Sequence, residues 1–227
     1  MIEIPIIYEN NEIYVISKPS GLAVQGGKDI KHSLDVDFSQ ITGQKIHLVH
    51  RLDKDTFGLM IVAKNPLAAN KWTKLIGSKA VKKEYVAVCA GQLKQKKGVI
   101  SDNLVQHGQD KSAVTHYQVE KEWVCKGADF EIPMSQIRLL LETGRMHQIR
   151  IHLAKNDCPI AGDDQHGNFK VNKLLKKNLK IKKLLLASVK LKLPLPEGEK
   201  VFEIETPWPD YSNYEIEETP DNRANAL

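Results

Sequence analysis

Six short apolar runs, most of them closed by a turn signal, constrain what this chain can fold into more than any other feature. "NEIYVISKPSG" alternates from Ile13 to Ile16 and stops at Pro19-Ser20-Gly21, as a half-buried strand does. "GLMIVAK", Gly58 to Lys64, is continuously apolar and ends at Asn65-Pro66, which suits a strand buried on both faces better than a helix. "KKEYVAVCAG" ends at Gly91, "SAVTHYQVEKEW" follows from Ser112 to Trp123, and "SQIRLLLETG" runs into a Thr143-Gly144 turn. "LASVKLKLP" sets Ala187, Val189, Leu191 and Leu193 against Ser188, Lys190 and Lys192, as a strand with one wet face. Strands outnumber helices.

Three helical segments sit among them. Asn65 is a favoured N-cap, Pro66 is tolerated at the first helical position, and Ala68, Trp72, Leu75 and Ile76 recur at helical spacing up to Gly77. In "RMHQIRIHLAK", Met146, Ile149 and Leu153 share one helical stripe, with His147, Gln148 and Arg150 on other faces. A helix opening beside a turn offers free N–H groups to an anion. "KLLKKNLKIKK" reads as a basic amphipathic helix.

A chain of 227 residues can bury one sizeable core, and we expect one compact unit over 1–208 followed by an acidic tail over 209–227. No apolar run approaches the roughly 18 residues of a membrane span, and "MIEIPIIYENN" lacks the pattern of a signal peptide. A cytoplasmic protein without membrane attachment is the expectation. Cys89, Cys125 and Cys158 are odd in number and widely separated, so they suit buried thiols rather than a disulfide framework or a metal knuckle.

Charge is unevenly spread. Between Gln165 and Pro196 there is no Asp or Glu but nine lysines, a pattern that suits a polyanionic partner or a solvated face. From Glu197 onward nine acidic residues against Lys200 and Arg223 leave −7, so with a total of +5 residues 1–196 carry +12.

Polar and aromatic residues stand where strands enter turns in three separate stretches. These are His50-Arg51-Leu52-Asp53 followed by Thr56-Phe57-Gly58, Lys83-Glu84-Tyr85, and the run from Thr143-Gly144-Arg145 through His147-Gln148-Ile149-Arg150 to His152. With "KPSGL" at Lys18 to Leu22 and Cys158-Pro159-Ile160-Ala161-Gly162-Asp163, they resemble, in order, the motifs of the RluA-type family of pseudouridine synthases. The resemblance spans roughly residues 10 to 208 and implies an α+β fold with a mixed, largely antiparallel central sheet, flanking helices and a central catalytic cleft. It also implies an isomerase that detaches a uridine of ribosomal or transfer RNA at N1 and reattaches it to the same ribose through C5. No cofactor and no metal are implied, and a monomer is expected. Many relatives of that family carry a separate N-terminal RNA-binding domain, and none is expected here, so RNA recognition is expected to rest on the catalytic unit, its lysine-rich segment or a partner such as the ribosome precursor.

On this resemblance Asp53 is the nucleophile or base, Arg150 its partner, and Tyr85 the ring that stacks on uracil. A cation within about 4–6 Å keeps a desolvated carboxylate ionised. Arg51, on the opposite side of an extended segment from its neighbours, is expected to face RNA. His50, Lys83, Arg145, His147, Gln148, Lys173, Lys176 and Lys177 complete the expected RNA contacts, although His50 also fits a capping or packing role. His147 and His152 are five apart, whereas a zinc pair on one helical face wants spacing four with a glutamate between. Three positions depart from the family pattern: Phe57 replaces a Ser, His166 a Tyr and Leu186 a His. Two other readings compete. One is a non-catalytic RNA-binding or ribosome-assembly protein that keeps the fold, and the other is a hydrolase using Asp53 and Asp55 as paired carboxylates.

Overall fold

Consecutive apolar residues leave strands β2 (Ile13–Lys18) and β4 (Phe57–Ala63) without a polar face, and both lie inside the sheet. The computed structural model describes residues 2–27, 30–106, 108–127 and 129–213. Among them ten strands form one sheet along the path β1 (Ile6–Glu9), β2, β4, β9 (Leu186–Leu195), β5 (Lys82–Ala90), β8 (Phe130–Leu141), β7 (Gln109–Gly127) and β6 (Lys97–Gln106). Two short strands attach to this path, β3 (His47–Leu48) to β4 and β10 (Gly198–Glu203) to β9. Every pairing is antiparallel except β4 with β9.

That one parallel contact is short and depends on a glycine. Gly58 pairs with Ser188 at φ +118°, and a Cβ there would lie 2.2 Å from the Ser188 carbonyl oxygen. No other residue fits without parting the strands.

Strand alternation sorts the core into two layers. Ile13, Val15, Leu59 and Ile61 pack with Ala68 and Trp72 of helix α2 (Pro66–Gly77). Tyr14, Ile16, Met60 and Val62 join the larger core of helices α1 (Leu34–Thr42), α3 (Gln148–Lys155) and α4 (Phe169–Asn178). The Asn65 side chain caps α2 by accepting from the Ala68 N–H, with Pro66 in the first turn. All three cysteines are buried free thiols.

Several sequence expectations change. β7 runs 19 residues, and α1, β1, β3, β6 and β10 were not foreseen. β6 is an edge strand that buries only Leu104, and β10 buries only Phe202, so neither carries a clear apolar pattern. α3 begins at Gln148 rather than in the preceding turn, because His147 takes a left-handed conformation, and Met146 is therefore exposed instead of sharing the Ile149–Leu153 stripe. Ser188 is buried rather than wet, since the middle of β9 is flanked by β4 and β5. Tyr211 is buried in the main core at a single 3-10 turn, Tyr211–Asn213, so the expected tail does not leave the fold at 209. Residues 214–227 of that tail lie outside the described residues. No helix among the described residues is long and apolar enough to cross a membrane.

Candidate active site

The loop from His50 to Thr56 enters β4, and two basic side chains, partly buried His50 and buried Lys18, hold it. The His50 Nε2 accepts the Ile61 N–H at 3.0 Å. Enclosure of the ring, reinforced by the Lys83 charge, pushes its pKa down to about 3, so it stays a neutral acceptor. Lys18 has no exposed surface, and its Nζ donates to the carbonyls of Pro19 at 2.9 Å, Leu22 at 2.9 Å and Lys54 at 2.8 Å. Burial lowers its pKa to about 8 against the pull of Asp55 and Asp53. The residue beside Asp53 is thereby tied to the turn after β2. Buried Leu52 anchors the loop between exposed Arg51 and partly buried Asp53.

Tyr85 stands at an irregularity in the β5–β9 pairing, where Glu84 faces Lys190 but Tyr85 faces Ser188. Such a bulge re-aims side chains, and Tyr85 shares the cleft-lining face of β5 with Lys83. Burial, reinforced by the Asp53 charge, raises the phenol pKa and keeps it protonated. Burial pushes the Lys83 ammonium down.

Arg150, in the first turn of α3, bridges two aspartates. Its Nε and Nη2 donate to Asp163 at 2.8 and 2.7 Å, and its Nη1 donates to Asp53 Oδ2 at 3.3 Å. Burial alone would raise the Asp163 carboxyl, but Arg150 and the N–H groups of His166 and Gln165 outweigh it and hold the pKa below the usual carboxylate range. The side chain of Asp163 is 1% exposed and that of Asp53 21%. The two carboxylates thus differ in kind, one locked and one open to the cleft. On the far side of Asp53, His147 Nε2 lies 3.9 Å from Oδ1, while His147 Nδ1 is 2.9 Å from His166 Nε2.

Asp53, Tyr85, His147 and Arg150 line a cavity of about 960 Å³, together with Arg51, Lys83 and Arg145. A carboxylate, an aromatic ring and several cations around such a cavity can receive one base of an anionic polymer and offer an ionised oxygen to its sugar.

Comparison with known proteins agrees with this geometry. Residues 12–155 match the family described as RNA pseudouridylate synthase. The chain is 34% identical over 180 residues to ribosomal large subunit pseudouridine synthase C of Rickettsia typhi, covering 73% of this chain and 57% of that protein. The chain belongs to the RNA pseudouridylate synthase family. Ribosomal large subunit pseudouridine synthase D of Yersinia pestis is 33% identical over 182 residues, which is 73% of this chain and 54% of that one. The chain thus spans a little over half the length of these curated pseudouridine synthases. Human RNA pseudouridylate synthase domain containing 4 superposes with a TM-score of 0.69 at 26% identity, covering 89% of this chain and 88% of the human one.

Within this pseudouridylate synthase frame, the structure brings Asp53, Tyr85 and Arg150 to one cleft, with Arg51, Lys83, Arg145 and His147 around them. Gln148 also lines the cavity but is spent on the fold, which corrects its expected contact with RNA. Its Oε1 accepts from Thr143 Oγ1 and the Arg145 N–H, its Nε2 donates to Val114 O and Thr115 Oγ1, and it is 2% exposed. His50 takes the packing role, its ring enclosed and committed to Ile61. His152 points away from His147, with Nδ1 on Thr115 Oγ1 at 2.9 Å. Asp55 is exposed and outside the cleft, so no pair of carboxylates forms with Asp53. Lys173, Lys176 and Lys177 are exposed on α4 and do not line the cleft.

Of the three departures, Phe57 packs with Val86, Ala187, Val189 and Trp208 and does not line the cavity, whereas Leu186 does. His166 reaches the site through His147. Sequence reasoning missed two functional positions. Asp163 stands in the Cys158–Asp163 motif with no role expected of it, and Lys18 in the KPSGL stretch likewise. An Asp two residues past the buried Ile160-Ala161 pair was the available signal for the first.

Proposed function

We propose that this chain is an RNA pseudouridine synthase, an isomerase acting on a uridine of ribosomal or transfer RNA, with Asp53 as nucleophile or base. The carrying observation is the Asp53–Arg150 contact at 3.3 Å, opening on the same cleft as Tyr85. Breaking N1–C1′ and forming C5–C1′ leaves the composition of the uridine unchanged, since the proton lost at C5 is balanced by one gained at N1. Arg150, fixed by Asp163, sets a positive charge 3.3 Å from Asp53 Oδ2 without consuming both of the carboxylate's oxygens. Tyr85 offers a flat apolar face on which a detached uracil can turn, and its protonated phenol adds no charge. Arg51, Lys83, Arg145 and His147 are placed to meet phosphate or the vacated stack, and Lys173, Lys176 and Lys177 to meet RNA farther out.

All of these groups come from a single chain, which supports action as a monomer, and a ribosomal or transfer RNA substrate supports the cytoplasm as its compartment. The intact trio favours catalysis over a purely RNA-binding role. Asp53→Asn keeps the side-chain shape and removes the charge, so tritium release from RNA carrying 5-tritiated uridine should cease while RNA affinity stays within a few-fold. Turnover by that variant would overturn the assignment.

A further inference from the structure

Helix α4 keeps its apolar residues on one side. Leu175 is buried, and Val171 and Leu174 pack against the main core. At 3.6 residues per turn, Phe169, Lys173, Lys176 and Lys177 fall together on the opposite side, as positions i, i+4, i+7 and i+8. Phe169 is 82% exposed there. An aromatic ring on a lysine face gains nothing from packing and detracts from solubility, so folding gives no reason for it.

The lysines are also unneutralised. Lys64, just past β4, Lys71 on α2, and Lys121, Lys190 and Lys192 on the sheet each pair with a carboxylate. Lys173, Lys176 and Lys177 take part in no ion pair among the described residues, and Gln165 to Pro196 supplies no Asp or Glu to make one. The face lies near the cleft. His166, hydrogen-bonded to His147, precedes Phe169 by three residues, a reach of at most about 11 Å.

We propose that the outer face of α4 is a ledge for single-stranded RNA flanking the target uridine, with Phe169 stacking on an unpaired base and Lys173, Lys176 and Lys177 holding neighbouring phosphates. The proposal rests on the reading of the cleft as a pseudouridine synthase site. The charge selects a polyanion, and the ring selects its strandedness, because a duplex hides its base faces inside the stack whereas an unpaired nucleotide presents one.

Binding of the full chain to a labelled oligouridylate of about 16 nucleotides and to a fully paired RNA duplex tests this, with phosphatidylserine vesicles as a third arm. Phe169→Ala should weaken binding to the single strand roughly five- to hundredfold, the range of one base stack, and leave the duplex within about twofold. Its salt dependence should not change, since stacking releases no counterions. Replacing Lys173, Lys176 and Lys177 together by Gln should lower the slope of log affinity against log salt by about 2, at roughly 0.7 per phosphate contact. Phe169→Trp, which keeps the stacking face, should restore affinity. Undiminished binding of Phe169→Ala to the single strand, an equal loss on the duplex, or tighter binding to vesicles than to the oligonucleotide would each overturn the proposal. Thermal unfolding of both variants at the wild-type temperature rules out misfolding, as all four side chains are exposed. The outcomes stay separable: turnover by Asp53→Asn removes the cleft reading, and intact single-strand binding by Phe169→Ala removes only the ledge.

Discussion

Replacing Asp163 by Asn should cost far more stability than replacing Asp53 by Asn, although both carboxylates contact Arg150. At an effective dielectric of about 20, unit charges roughly 3 Å apart attract by about 5–6 kcal/mol gross. Desolvation of the pair cancels much of this, but removing Asp163 leaves buried Arg150 with only its 3.3 Å contact to the more open Asp53, and breaking a buried pair in this way costs about 3–5 kcal/mol. Asp163 is the buried partner, at 1% side-chain exposure against 7% for Arg150. An Asn there sets an amide N–H against a guanidinium N–H or against the N–H groups of Gln165 and His166. Asp53 is more open, and its loss leaves both Asp163 bonds to Arg150 intact. That change should cost about 1 kcal/mol or less. In urea, with a slope near 2–3 kcal/mol per molar, Asp163→Asn should lower the midpoint by roughly 1–2 M and Asp53→Asn by a few tenths. The folded pKa of Asp163 is depressed, so its contribution is fully present above the unfolded value of about 3.9 and is lost as pH falls through the folded value. The gap between wild type and Asp163→Asn should therefore hold steady above about pH 5 and narrow below pH 4. Equal destabilisation by the two variants, or an Asp163→Asn protein with wild-type midpoint and turnover, would refute the division into a locked and an open carboxylate.

Two further perturbations probe the loop that carries Asp53. His50 has a folded pKa of about 3 against about 6.5 unfolded, so between these values the unfolded chain binds the extra proton and stability is lost as pH falls, by up to about 1.4 kcal/mol per unit. His50→Gln keeps an acceptor for Ile61 and should flatten urea midpoints measured between about pH 7 and pH 4; an unchanged slope would show that His50 does not carry that proton linkage. Lys18→Met strips the carbonyls of Pro19, Leu22 and Lys54 of their donor, at about 1–3 kcal/mol for each one left unsatisfied. It should lower kcat more than it raises KM, because it loosens the positioning of Asp53 rather than the grip on RNA; a pure KM effect would contradict this.

The sequence made legible what a local pattern could carry. β2 and β4 were readable because burial on both faces leaves an unbroken apolar signature, whereas β6 buries one side chain and reads as loop. Asp53 and Arg150, 97 positions apart, were paired only through the resemblance, since no local periodicity links a loop on one strand to the first turn of a distant helix. Gln148 shows the opposite failure. A glutamine opening a helix beside cationic residues resembles a ligand contact, and what claims it instead is Val114 and Thr115, about 33 residues earlier on β7.

Asp163 was legible as a motif letter but not as chemistry, and the reason lies in charge arithmetic. One guanidinium facing one aspartate makes a closed pair with little reactivity to spare. Adding a second, fully buried aspartate that takes the two shorter bonds fixes the arginine's plane and leaves the first carboxylate with a single 3.3 Å contact. Asp53 is thus kept beside a cation without being consumed by it, and its negative charge is answered further by Arg51, Lys83 and Arg145 around the cavity. Under the proposed function, a partly free carboxylate oxygen is what attack on a sugar or removal of a proton requires, and the locked partner is what leaves it free.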